Sequence, residues 1–269
     1  MTTSGSEFYK DELEPEQIET LLKHGSITAN EVVEGLWHEQ VLVRTNAARG
    51  ARYVDVLPDP GEAMLRIASK DTDVAVRGAI VTAVSYGLGS HAVGLPLLFD
   101  AVLDGGEGIR DTALSGLERR LLNGKVEVLP WFVSALADVR SGVAAAASQL
   151  MVKAGGEAAI PALIPLLGSD DPRPRRAAYD ILDQLKRAAV SLLIDALRDP
   201  KARELAARLL GGVGETESSN RLKLEALAAA AEASGDVKLF TVGDVFGGWA
   251  TAQPLHFGEA GVFDKITAK

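Results

Sequence analysis

Apolar and polar positions along this chain repeat around a recurring arginine. It stands at Arg44, Arg77, Arg110, Arg140, Arg175 and Arg203, with gaps of 33, 33, 30, 35 and 28 residues. One residue before it come Val43, Val76, Ile109, Val139, Pro174 and Ala202, and three after it Ala47, Ile80, Ala113, Val143, Ala178 and Ala206. Positions +4 (Ala48, Val81, Leu114, Ala144, Tyr179, Ala207) and +7 (Ala51, Val84, Leu117, Ala147, Leu182, Leu210) are again free of charge and mostly aliphatic. Position +1 reads Thr45, Gly78, Asp111, Ser141, Arg176 and Glu204, with no large apolar residue. Offsets of −1, +3, +4 and +7 make one face of an α-helix, and a return every thirty-odd residues predicts an array of helical repeats.

A second apolar helix precedes each arginine. Asn30 introduces Val32, Val33, Leu36 and Trp37; the equivalents are 62–68, 95–102, 128–136, 159–167 and 190–197. Acidic turns follow most of them, at Asp71 and Asp73, Asp104, Asp138, Asp170 and Asp171, and Asp199. The unit is therefore helix, turn, helix. Pro15 with acids around it and Gly25 after Lys23 and His24 mark a short capping helix at the start. The segment from Glu215 to Ala233 reads as a closing amphipathic helix with Leu222, Leu224, Leu227 and Ala228 inward. After Gly235 the repeat is lost and four Phe and a Trp appear.

The expected fold is all-α: an α-solenoid of about six helix-turn-helix repeats with helical caps and a short non-repeat C-terminal tail. Its boundaries are an acidic N-terminal segment and capping helix over 1–27, repeats over 28–212, a C-terminal capping helix over 213–236 and the tail over 237–269. In such an array each unit contacts its neighbours, so 269 residues read as one continuous domain.

The words "DTDVAVRGAI", "GGEGIRDTAL", "SDDPRPRRAAYDIL" and "RDPKARELAARLL" resemble the HEAT-repeat family over about residues 28–212, and Pro96, Pro130 and Pro161 in the first helices suit it. The resemblance implies second helices lining a concave surface. The tail, in "LFTVGDVFGGW" and "HFGEAGVFDKI", resembles the C-terminal end of periplasmic sulfate-binding proteins over 237–269. It does not imply sulfate binding, because the upstream segments that hold the oxyanion in that family have no counterpart.

Charge and candidate chemistry narrow the function. The net charge is −9, of which residues 1–40 hold −7 (nine Asp/Glu against two Lys). An acidic chain repels phosphate backbones, so nucleic acid is not an expected partner. Residues 171–210 run the other way, with nine cations against six acids. That excess is read as solvated faces and helix-turn contacts. HEAT-like DNA glycosylases use a basic face with aromatics, and aromatics are only 5% here.

With no cysteine there is no thiolate chemistry, and the lack is compatible with the cytosol. Met1–Lys10 carries no secretory pattern and no apolar stretch reads as long enough to cross a bilayer, so a cytoplasmic protein off the membrane is expected. Only His38–Glu39 matches the His-Glu pairs with which a subset of HEAT-like proteins binds two metals, so no metal site is expected. Gly87–Ser90 and Gly211–Gly214 lack the lysine of a phosphate loop. No catalytic residue and no cofactor are assigned.

The favoured function is a non-catalytic scaffold offering a groove to a protein or peptide. Its surface is placed at positions +1, +5 and +9 of the second helices: Asp111, Ser115 and Arg119 in repeat three, and Arg176, Asp180 and Gln184 in repeat five. A bilin-lyase-like protein handling a tetrapyrrole is the alternative from the resemblance, and a transport-associated role rests on the tail. The repeat arginines are expected to brace neighbouring units rather than bind ligand.

Overall fold

A computed structural model describes residues 11–54 and 56–211, and all regular structure among them is helical. The α-helices are α1 (Pro15–Lys23), α2 (Ala29–Gly35), α3 (Val41–Gly50), α4 (Gly61–Ala68), α5 (Val74–Ser85), α6 (His91–Ala101), α7 (Glu107–Asn123), α8 (Lys125–Leu136), α9 (Ser141–Leu150), α10 (Ile160–Leu163), α11 (Pro172–Ala196) and α12 (Arg203–Gly211). The closing helix and the aromatic tail expected after residue 212 lie outside the described residues. The described residues up to Gly124, with Arg140–Ala146, form one compact unit; Lys125–Val139 with Ala147 onward form a second.

Helix starts follow the local chemistry. Thr28 and Glu31 form a reciprocal capping box before α2, and the Asp73 carboxylate accepts from the amides of Ala75 and Val76 at 2.8 and 3.3 Å. Pro96 stands inside α6 and has no N–H to offer the carbonyl of Ala92. Arg66 Nη2 approaches that carbonyl at 3.4 Å instead.

The apolar face expected from the arginine register is the core. In the first unit Val43, Ala47, Ala48, Ala51, Val76, Ile80, Val84, Ala113 and Leu117 are buried, together with Leu36, Leu65, Leu95 and Leu98 from the preceding helices. In the second, Ala178, Leu182, Ala206 and Leu210 are buried with Phe132, Leu136, Met151 and Leu163. Each buried Leu or Phe contributes about 1.5–3 kcal/mol. Val139 departs from the pattern and is 84% exposed. The cause is local: α9 begins at Ser141, so Arg140 and the residue before it fall in the turn rather than in the helix.

Two helix expectations change. The segment 190–197 is not a separate helix; α11 runs unbroken for 25 residues, because "DQLKRAAVSLL" contains neither Gly nor Pro to stop it. The segment 159–167 is not one regular helix either. After α9 come a π turn (Met151–Gly155), a 3-10 turn (Gly156–Ala159), the single turn of α10 and another 3-10 turn (Ile164–Gly168). Gly156 sits at φ +51°, a conformation glycine adopts without strain, and Pro161 and Pro165 start the last two pieces.

This region also corrects the expectation about bilayer-spanning stretches. Ser141–Gly168 is 28 residues long, with an 18-residue window of mean hydropathy 1.4, enough by length and composition to cross a membrane. Part of it nevertheless faces protein: Leu150, Met151, Ala159, Ile160, Leu163 and Leu167 are buried, and the part from Met151 on packs against α8 and α11.

Candidate functional site

The recurring arginine is the fourth residue of α3, α5, α7 and α11, which fixes what it can reach. Nη1 of Arg44, Arg77, Arg110 and Arg175 donates to the carbonyl six residues back, at His38 (2.8 Å), Asp71 (2.9 Å), Asp104 (3.0 Å) and Ser169 (2.7 Å). Arg203 reaches Leu197 the same way through Nε, at 2.8 Å. Each of these five arginines thus ties down the turn before its own helix.

Two arginines also reach forward. Arg44 donates Nε and Nη2 to the Asp71 carboxylate at 2.6 and 3.3 Å, and Arg77 donates the same pair to Asp104 at 2.7 and 3.2 Å. Asp71 and Asp104 in turn accept from the amides of Asp73 (2.8 Å) and Gly106 (2.9 Å). Arg44, Asp71, Arg77, Asp104 and Arg110 therefore form one chain in which every aspartate is held by its carboxylate from one unit and by its carbonyl from the next.

Both carboxyls sit below the ordinary range. For Asp71, burial pushes upward, but the Arg44 hydrogen bond, the Asp73 amide and the charges of Arg44 and Arg77 outweigh it; for Asp104 the Arg77 hydrogen bond is the main cause. This is a bracing role, as the register implied. Arg140, which stands in the turn before α9, bonds the Asp100 carboxylate at 2.6 Å.

One buried cation escaped the sequence reading. Arg120 on α7 is 7% exposed, and its Nη2 donates to the carbonyls of Val84 and Leu88, both at 3.0 Å. Nη1 lies 3.2 Å from His91 Nδ1, while the buried Nε has no partner among the described residues. Burial pulls its pKa down. The guanidinium lies against Gly94, where a Cβ would come within 2.5 Å of Nη2. Arg120 occurs once rather than periodically, so no repeat signal could reveal it.

The surface expected to bind partners is the outward face of the second helices. Its +9 residues in the first unit are Tyr53, Tyr86 and Arg119. The Arg52 and Arg119 guanidinium carbons lie 3.8 and 4.5 Å from the centre of the Tyr86 ring, and Arg119 Nη1 also donates to the Ser85 carbonyl at 2.7 Å. Asp111 and Ser115 are exposed on the same helix, α7. Next to this cluster, Pro15, Arg49, Arg52, Ala75, Gly78, Ala79 and Thr82 line an open groove of about 270 Å³.

In the second unit Arg176, Asp180 and Gln184 are exposed along α11. Arg176 Nε stands 3.8 Å from the Asp180 carboxylate, and Gln184 Nε2 donates to the Asp180 carbonyl at 3.2 Å. The structure therefore assembles two groups of the expected residues, one in each compact unit.

The basic stretch 171–210 is largely spent on local pairs. Arg173 bonds Asp171, Arg198 bonds Asp195, Lys201 bonds Asp170 and Arg208 bonds Glu204, all at 2.5–2.9 Å. His38 Nδ1 accepts from the Gln40 amide at 3.1 Å, a turn contact. Among the described residues no three His, Asp or Glu are grouped to hold a metal ion.

A sulfate-binding protein of Salmonella typhimurium is 30% identical over 83 residues, 31% of this chain, and the match spans only 23% of that protein's length. Among solved structures, a crystal structure of an engineered protein has a TM-score of 0.35 at 17% identity, covering 90% of this chain and 81% of the other. YibA of Escherichia coli has a TM-score of 0.31 at 19% identity, covering 85% and 87%. At those scores the fold rests on the helices of this chain themselves. The family model for HEAT repeats matches residues 129–211, so this stretch of helices carries the HEAT-repeat pattern.

Proposed function

We propose that this chain is a non-catalytic, cytoplasmic scaffold that binds a protein or peptide on the outward face of its second helices. The observation that carries the reading is the open groove on α3 and α5. Small side chains, Ala75, Gly78 and Ala79, form its floor, and Tyr86 with its two guanidinium groups adjoins it. Aromatic and arginine side chains are those that most often anchor protein interfaces. In the same unit Arg44, Asp71, Arg77 and Asp104 are taken up by bracing rather than offered to a partner.

A photo-crosslinking amino acid at Ser115 tests the reading, with Ile67 on α4 as a control site 58% exposed. The expected result is a protein adduct from Ser115 that disappears in Arg119→Glu, and none from Ile67. Adducts from Ile67 alone, or Ser115 adducts indifferent to Arg119→Glu, refute the second-helix surface.

A further inference from the structure

The chain displays on its own surface the kind of segment this face recognises. Residues 11–14 run without regular structure across α3, and the Asn46 side-chain amide holds both edges of that backbone. Its Oδ1 accepts from the Leu13 amide at 3.0 Å and its Nδ2 donates to the Asp11 carbonyl at 2.9 Å. One helical turn on, Arg49 donates to the Leu13 carbonyl at 2.8 Å and to the Glu12 carboxylate at 2.6 Å. Two side chains thus read a backbone amide, two backbone carbonyls and one acid. Those groups define an extended acidic peptide rather than any particular side-chain sequence.

That segment ends at Pro15, and Pro15 is one wall of the groove of about 270 Å³. Beyond it the same face continues with Arg52, and then with Tyr86 and Arg119. Glu12 already neutralises Arg49, and the cations offered past Pro15 are Arg52 and Arg119; the acids on that side are Glu16 and Glu19 of α1, with Glu19 paired to Lys23. Tyr86 holds both guanidinium groups over its ring, which reduces the ordering cost when a carboxylate arrives. A single extended chain fits, with small side chains over Ala75, Gly78 and Ala79.

We propose that this groove takes an extended acidic peptide segment of a partner protein, with carboxylates on Arg52 and Arg119, continuing the line that residues 11–14 begin. The proposal rests on the scaffold reading and names its partner's chemistry.

The test uses the full chain and two fluorescein-labelled octapeptides, (Glu-Ala)4 and (Lys-Ala)4, followed by fluorescence anisotropy. The glutamate peptide is expected to bind saturably and to lose about tenfold or more in affinity in Arg52→Glu, as expected for losing a charge-assisted pair. Thr82→Trp, which fills the groove without touching charge, is expected to weaken it similarly, and the lysine peptide is expected not to saturate. Helical circular dichroism confirms that each variant is folded. Equal binding of both peptides, unchanged affinity in both variants, or no saturation by about 1 mM overturns the proposal. If Arg176→Glu removes binding while Arg52→Glu does not, the peptide belongs to α11: the groove assignment fails and the scaffold stands. The scaffold itself fails only on the crosslinking result at Ser115, which does not depend on the peptide's charge.

Discussion

Replacing Arg77 by alanine removes four hydrogen bonds at once, and the structure says how much each matters. Two go to the carbonyls of Asp71 and Thr72 in a turn that water can reach, so their net loss is small. The other two go to the Asp104 carboxylate, whose side chain is 13% exposed against 21% for Arg77. Hydrogen bonds to charged groups contribute about 1.5–3 kcal/mol net. Asp104 keeps the Gly106 amide in the variant, which softens the loss. The expected cost is therefore about 2 kcal/mol, within that range, and for a chain of this size a Tm lowered by about 4–8 °C.

Arg140 supplies the control. It bonds Asp100 with both side chains 43% exposed, and exposed pairs of this kind contribute about 0–1 kcal/mol. Urea unfolding followed by circular dichroism measures both variants, and a double-mutant cycle of Arg77→Ala with Asp104→Asn isolates the pair, with an expected coupling of about 1–2 kcal/mol. If Arg77→Ala costs no more than Arg140→Ala, or if the coupling falls below about 0.3 kcal/mol, the arginine–aspartate chain does not brace the repeats.

Acid provides a second test: Asp71 and Asp104 titrate lower folded than unfolded, so their contribution is complete above the unfolded carboxyl value near pH ~4 and is lost as pH falls through the lower folded values. Urea midpoints taken downward from pH ~5 should drop more steeply for the native sequence than for the Arg77→Ala, Asp104→Asn double variant, and parallel curves would contradict this. At Gly116 a Cβ would stand 2.9 Å from the Ser85 backbone, so Gly116→Ala should cost about 1–3 kcal/mol in the same unfolding assay. Gly78→Ala, whose nearest neighbour would be 3.6 Å away, should be neutral or stabilising by up to about 1 kcal/mol.

The arginine register made the core and the bracing readable because both recur at helical spacing with few exceptions. Its limits follow from the same logic. α11 continues through the expected boundary because no residue between Gln184 and Val190 opposes helix, and a turn with no breaker leaves no mark in the pattern. The broken helical stretch after Leu150 depends on Gly156 taking positive φ, which its letter permits but does not dictate. Of the expected binding residues, Arg119 proved to be half of a pair around Tyr86, whereas Arg52, one residue before the +9 position, was missed. Asn46 was missed as well, since a lone amide beside an apolar face carries no period. Its role exists only because residues 11–14 cross it.

The contact between Gly94 and Arg120 constrains how this sequence can change over time. Any side chain at 94 would intrude on the guanidinium, down to 2.5 Å at Nη2, while a shorter residue at 120 would abandon the Val84 and Leu88 carbonyls and leave a void beside Gly94. A Cβ at 94 meets the far end of a flexible side chain, which must shift to admit it, whereas truncation at 120 gives up two carbonyl contacts outright. What one site tolerates therefore depends on what stands at the other, although 26 residues separate them.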